Sequence, residues 1–236
     1  MGVKIKVNEK YFKRWSRNMA YILGYLFADG STEDWKKFRG RYVKAISTDR
    51  ELIEMFKREL KSEHKIEIIP PESERHKTKY RLRIGSKALY NSLFNLGMEP
   101  KKSLTMKFPN IEDRYLGDFV RGYFDGDGCV YIEKDTKTKV PKRLRVVFTS
   151  GSHEFLKVLS SRLKSTLVLN QSKIYDSRRS FQLSYSTKDS LKVLEFFYGD
   201  NPKLYLRRKK RVFTKALKKC DNWKVNDREM ATWRSS

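Results

Sequence analysis

The sequence predicts an α+β fold of two pseudo-symmetric halves, each running helix, strand pair, helix, strand pair, helix (αββαββα). Three observations carry this. YILGYLFADG (Tyr21 to Gly30) and DFVRGYFDGDG (Asp118 to Gly128) are near copies of one pattern. RYVKAISTDRELIEMFKREL (Arg41 to Leu60) and RLRVVFTSGSHEFLKVLSSRL (Arg143 to Leu163) both pass from strand-like alternation into a helix-like period. KYRLRIGSKALYNSLF (Lys79 to Phe94) and SFQLSYSTKDSLKVLEFF (Ser180 to Phe197) repeat that succession.

The first helix of each half carries the sharpest signal. Superposing the two terminal Asp-Gly pairs aligns Gly24 with Gly122, Ala28 with Gly126 and Asp29 with Asp127. Residues four apart share a helix face, so each helix presents two small residues on one side. Glycine inside a helix costs about 1 kcal/mol relative to alanine, and close packing of the two helices on each other is the expected compensation. Packed in parallel, they bring Asp29 and Asp127 together at C-terminal ends that are already negative. Two carboxylates about 4 Å apart, at an effective dielectric near 20, repel by roughly 4 kcal/mol, and a divalent cation would relieve the strain.

The strands of each half alternate in a second informative way. Lys79, Arg81 and Arg83 project from one face of their strand, against Tyr80, Leu82 and Ile84 on the other. In the second half Arg143, Arg145 and Thr149 alternate against Leu144, Val146 and Phe148, and Ser180, Gln182, Ser184 and Ser186 against Phe181, Leu183 and Tyr185. Cys129, Tyr131 and Glu133 are expected on the same polar face, and Arg41 and Lys173 are expected to contribute to it. Such a face offers donors and acceptors to phosphates and to base edges in a major groove. Between the halves, FPNIEDRYLG (Phe108 to Gly117) reads as the lead into the second motif helix, with Asp118 as its cap. The expected divisions are 1–107, 108–220 and a tail, 221–236.

Composition agrees with a polyanionic partner. The chain has 236 residues, 53 Lys and Arg against 28 Asp and Glu, and a formal charge of +25. Nucleic acid is the leading partner and an anionic membrane surface the weaker one. The run from Lys203 to Lys219 holds basic residues without an acid and is expected to touch phosphates. No apolar run is long enough for a membrane span and Met1 to Lys10 lacks the apolar core of a secretory signal. The expectation is a protein that is not secreted, working in a prokaryotic cytoplasm or nucleoid, or in an organelle matrix. Cys129 and Cys220, with His64, His76 and His153, have no zinc-site spacing. DGDG (Asp125 to Gly128) fails as a calcium loop, since Cys129 and Thr136 stand where that loop needs ligands.

The two terminal helix segments, ILGYLFADG (Ile22 to Gly30) and VRGYFDGDG (Val120 to Gly128), resemble the LAGLIDADG motif of homing endonucleases. The resemblance spans nearly the whole chain and is to the single-chain, two-motif, monomeric type. Phe27 stands where the family often has an acid; Asp125 keeps it. The resemblance implies motif helices packed at the interface of the halves and a saddle of antiparallel strands over double-stranded DNA. It also implies hydrolysis of both strands of a long, imperfectly palindromic target, leaving short 3′ overhangs. Mg²⁺ is the implied metal, with Mn²⁺ substituting and Ca²⁺ supporting binding without cleavage. Asp29 and Asp127 are the implied catalytic ligands, joined by the main-chain carbonyls of Ala28 and Gly126.

A lysine late in each repeat is implied as well. LGMEPKKS (Leu96 to Ser103) nominates Lys102, with Lys101 adjacent, and YLRRKKRVF (Tyr205 to Phe213) nominates Lys209, with Lys210 adjacent. Ser47, Thr48, Thr149 and Ser150 are expected either to line the pocket or to cap the helices that follow. Self-splicing proteins also host this fold, but the termini lack a His-Asn junction and suggest a free-standing protein; an intron-encoded origin is what the resemblance implies. Non-cleaving relatives of the fold, which assist intron RNA folding or regulate transcription, are the alternative; retention of both acids favours cleavage.

Overall fold

The computed structural model describes residues 5–35, 40–100, 104–170 and 172–218. Lys102, Cys220 and the 221–236 tail therefore lie outside the described residues. The first half runs α1 (Arg17–Asp29), β1 (Gly30–Trp35), β2 (Gly40–Ser47), α2 (Arg50–Glu59), β3 (Glu67–Ile69), β4 (Lys79–Gly85) and α3 (Lys87–Asn95). The second runs α4 (Asp113–Asp127), β5 (Gly128–Lys134), β6 (Pro141–Ser150), α5 (His153–Leu167), β7 (Ile174–Ser177), β8 (Ser180–Tyr185) and α6 (Thr187–Tyr198), followed by α7 (Arg207–Leu217). Each half matches the expected αββαββα order, and α7 is an addition to it.

Each half builds one antiparallel four-stranded sheet, ordered β1-β2-β4-β3 and β5-β6-β8-β7. Val43, Ala45, Leu82 and Ile84 turn inward from the first sheet and Leu144, Val146, Phe148 and Leu183 from the second, all fully buried. Period two thus sends every other side chain to the helices and leaves the polar set outside. Serine hydroxyls start several helices: Ser16 accepts from Met19 N at 3.1 Å, Ser86 from Leu89 N at 3.2 Å and Ser152 from Phe155 N at 3.2 Å.

Helices α1 and α4 form the centre. Met19 to Phe27 is buried without interruption, as is Phe119 to Asp125. Their contact explains the glycines. A Cβ at Gly24 would stand 1.9 Å from Phe119 O, and one at Gly122 would stand 1.9 Å from Tyr21 O. Only glycine lets the two backbones come this close, and because Tyr21 and Phe119 are themselves equivalent positions, the contact is pseudo-twofold. The glycines after the acids have another task. A Cβ at Gly30 would lie 2.5 Å from Leu26 O, and one at Gly128 would lie 2.5 Å from Phe124 O, so each chain can turn sharply from helix into strand.

Asp118 is not a cap. Helix α4 begins at Asp113 behind Glu112, so DRYLG belongs to the helix and Asp118 sits a turn inside it. There it is buried and pairs with Arg121 at 2.6 Å and Arg17 at 3.0 Å. Arg121 also donates to Leu204 O and Phe197 O, at 2.9 and 3.0 Å. The polar side of α4 is thereby spent on fastening the segment between α6 and α7. At the matching positions α1 has Ala20 and Leu23, both fully buried.

Candidate active site and nucleic-acid interface

Asp29 and Asp127 are the last residues of α1 and α4, and the glycine contact fixes both ends. Ala28 and Gly126 face each other across the pseudo-twofold axis: a Cβ on Gly126 would meet Ala28 Cβ at 2.4 Å and the Asp29 carboxylate at 3.5 Å. Both acids act on one buried phenol. Burial first, and then Asp127 and Asp29, push Tyr123 far above its ordinary range. The two carboxylates therefore share one neighbourhood, as the small-residue spacing requires.

A cavity of about 250 Å³ opens beside Asp29, lined by Ile46, Ser47, Thr48, Asp49 and Lys79 of the first half and by Gly126 and Arg208 of the second. Among the described residues no three His, Cys, Asp or Glu side chains cluster as metal ligands. Two carboxylates and the adjacent helix-end carbonyls are instead the oxygen donors at hand. The missing Cβ of Gly126 keeps the space beside Asp29 open, and the donor set fits a hard divalent cation that keeps several waters. Ser47 Oγ accepts from Asp49 N at 3.1 Å and Ser150 Oγ from Ser152 N at 3.1 Å, so both serines serve the turn into the next helix. Thr149 offers its carbonyl to Tyr123 Oη at 2.7 Å.

Lys209 is buried beneath the site. Its ammonium donates to Phe124 O, to Asp125 O at 3.0 Å and to Gly128 O at 2.6 Å, capping the C-terminal carbonyls of α4. Burial outweighs the nearby acids and brings its pKa down to about 8. Asp125, wholly buried, accepts from Tyr21 Oη at 2.8 Å and Leu206 N at 2.7 Å, and burial raises its carboxyl despite Lys209. Lys210 turns away, 4.3 Å over the Tyr205 ring.

Asp49 and Arg208, which the sequence did not single out as site residues, both line the cavity. Arg208 holds both oxygens of Asp49, at 2.8 and 2.7 Å. Its hydrogen bonds keep the Asp49 carboxyl below its ordinary value against the opposing effect of burial. Arg207 reaches Glu51 at 3.0 Å. The basic run expected on phosphates thus forms a helix that straps the second half onto the start of α2. Asp49 stands at the head of α2 where Ser152 heads α5, and because Asp is as ordinary a helix cap as Ser the sequence alone carried no sign of the pair.

The outer face of the first sheet carries Lys79, Arg81 and Arg83, as expected, beside Lys44 and Ile46 in register. Arg41 does not join them. It has the strand parity of buried Val43 and Ala45, bonds Asn91 of α3 at 2.9 Å and lies over the Tyr90 ring, on the helix side of the sheet. In the second sheet Tyr131 stands opposite Arg145, Glu133 opposite Arg143, and Gln182 opposite Thr149; Ser184 shares this face. Tyr131 and Tyr175 are exposed there, and Lys173 is exposed just ahead of β7. No described helix is long and apolar enough to cross a membrane.

The description of a LAGLIDADG-like domain matches residues 16–97 and 115–196, taking in both Asp-Gly helix ends. A reverse gyrase of Methanocaldococcus jannaschii is 32% identical over 126 residues, covering 53% of this chain but 7% of that protein. The homing endonuclease I-DmoI in complex with DNA and Mn is similar with a TM-score of 0.52 and 22% identity, over 80% of this chain and 98% of that one. The meganuclease I-AabMI bound to uncleaved DNA gives 0.57 and 16%, over 85% and 89%. At these identities the solved structures speak for the fold.

Proposed function

Because the chain belongs to the LAGLIDADG-like domain family, we propose that it is a monomeric, site-specific endonuclease that hydrolyses both strands of a long, imperfectly palindromic DNA. One observation carries the reading: the backbone contact at Gly24 and Gly122 delivers two carboxylates, one from each half, to a single place between the two sheets. The charge of +25 suits a polyanion, and the DNA and manganese of the I-DmoI complex support the substrate class and the use of a divalent metal.

The residues divide the work by position. The outer sheet faces hold the duplex, with Lys79 carrying cationic surface to the cavity edge. Asp29 and Asp127, with the carbonyls of Ala28 and Gly126, would hold the cation, Mg²⁺ by preference and Mn²⁺ in its place. When bound, it neutralises charge on the scissile phosphate and makes a water nucleophilic near neutral pH. The water oxygen bonds to phosphorus, the P–O3′ bond breaks, and a 5′-phosphate and a 3′-hydroxyl remain. Asp29 serves one strand and Asp127 the other, staggered across the minor groove to leave short 3′ overhangs. Lys209, tied to the α4 terminus, keeps the Asp127 end of that helix in place.

The test is selection from a randomised duplex library with Mg²⁺ and, in parallel, Ca²⁺. Recovery of a specific site that is cut in Mg²⁺ and only bound in Ca²⁺ is expected. Specific binding without scission in any divalent metal would replace this reading by the non-cleaving one. An intron RNA partner would then be the next ligand to try.

A further inference from the structure

On the outer face of the first sheet Glu33, Lys44 and Arg83 form one connected group with Tyr42. Register sets Glu33 opposite Tyr42 and Lys44 opposite Arg83. The Glu33 carboxylate takes Lys44 Nζ on one oxygen and Arg83 on the other, the latter at 3.3 Å. The Arg83 guanidinium lies 3.7 Å over the Tyr42 ring. Gly85 makes room for that stack, since a Cβ there would press on the ring at 3.2 Å. The side chains are partly covered, Glu33 at 21%, Lys44 at 25% and Arg83 at 35% exposure.

The second sheet answers the same positions with different chemistry. Tyr131 is opposite Arg145, and Val147 is opposite Ser184. Tyr131 thus stands in the place of Glu33, Val147 of Lys44 and Ser184 of Arg83. Arg145 takes the place of Tyr42 and pairs with Glu133 at 3.7 Å, so the two fixed cations Lys44 and Arg83 have uncharged counterparts, the 8% exposed Val147 and Ser184, beside an exposed Tyr131.

Phosphate contact suits an exposed and flexible cation, whereas Lys44 and Arg83 are partly covered, share one carboxylate that offsets one of their two charges, and are fixed in direction. Fixed donors are what base-edge reading needs. Guanidinium and ammonium donors match O6 and N7 of guanine, while an apolar side chain matches the methyl of thymine. We propose that Arg83 and Lys44, oriented by Glu33, read guanine in one half-site, and that the exposed ring of Tyr131 reads a thymine methyl group at the corresponding place in the other. Glu33 is a positioning residue. The target then has a G·C-bearing half and an A·T-bearing half. This rests on the proposed DNA interface of the sheets.

The experiment is binding selection from a randomised duplex library in Ca²⁺, so that no cleavage is needed, with the full chain and its Arg83→Ala, Glu33→Gln and Tyr131→Ala variants. The parent chain is expected to select guanine at one or two positions on one side of the site centre. Arg83→Ala should lower that preference at least about five-fold at those positions alone. Glu33→Gln should relax the same positions while total affinity at low salt holds or rises, because a negative charge has gone and a merely structural carboxylate would not do this. Tyr131→Ala should relax a thymine on the opposite side only. Unchanged guanine preference in Arg83→Ala, or a loss spread over both half-sites with a fall in melting temperature, overturns the inference. A parent chain that selects no sequence overturns the proposed function and this inference with it; one that selects a guanine-free site overturns the inference alone.

Discussion

Asp29 and Asp127 differ from the other acids of this chain in having a place at a helix end held by backbone contact. Replacing either by Asn keeps shape and removes one charge. Asp29→Asn and Asp127→Asn should each abolish double-strand cutting, shown by end-labelled duplex on denaturing gels, with Kd in Ca²⁺ within a few-fold of the parent. Full cleavage in either variant would remove that residue from the metal site. Lys209 makes a different prediction. Its folded pKa of about 8 lies below the ordinary 10.5, so between these values the unfolded chain holds a proton that the folded chain has released. Stability from this group therefore rises with pH across that window, by on the order of 1 kcal/mol per pH unit. Buried Tyr21 and Tyr25, with raised pKa values, act oppositely above about pH 10, so urea unfolding should compare the parent and Lys209→Met at pH 8 and 9.5. The advantage of the parent should widen over that interval, and a constant difference would contradict the assignment.

At the scale of elements, the two motif helices are equivalent in backbone and unlike in side chains. Where α4 sets Asp125 against Tyr21 at 2.8 Å, α1 sets Phe27 against Phe119 with ring centroids 5.5 Å apart. The same slot is polar on one side of the axis and aromatic on the other. Asp125 also accepts from Leu206 N and lies near Lys209, whereas Phe27 packs against the rings of Phe119 and Phe155 in that aromatic slot. The glycines admit no such exchange. Gly24→Ala forces its methyl into Phe119 O, and the backbone cannot swing aside as a side chain would; Gly122→Leu is worse. Each should lower stability by about 3 kcal/mol or more, roughly 6 °C or more in melting temperature for a chain of this size. An unchanged thermal midpoint for Gly122→Leu would rule out the interface.

For the whole molecule the governing quantity is charge in excess of internal pairing. Glu33, Asp34, Glu67 and Glu133 each answer a cation on or beside the sheets, and Asp49 and Glu51 answer Arg208 and Arg207 across the halves. A formal +25 remains after every acid is counted, so a long phosphate track is still expected. If roughly eight phosphates are neutralised, affinity falls by about three to five decades between 50 and 200 mM salt. Fluorescence titrations in Ca²⁺ should give a log-log slope steeper than about −3; a shallower slope would argue against an extended DNA track.

The sequence by itself determined the repeat, the order of elements, the helix face at Gly24 and Gly122 and the two acids at the helix ends, because each is a local pattern written at a fixed period. Strand parity likewise foretold which residues of β4, β6 and β8 turn outward. Arg41 shows the limit: its type suggested DNA, while the register of β2 turned it toward α3. Asp118 looked like a cap because its environment is made by Arg17, Arg121 and the segment before α7, all supplied by tertiary packing. Only the folded chain decided that Lys209 is buried under α4, that Asp49 holds Arg208 at the cavity, and that Glu33 fixes Lys44 and Arg83. Those contacts join residues remote in sequence, and burial and electrostatic pairing between them depend on distances that no linear pattern contains.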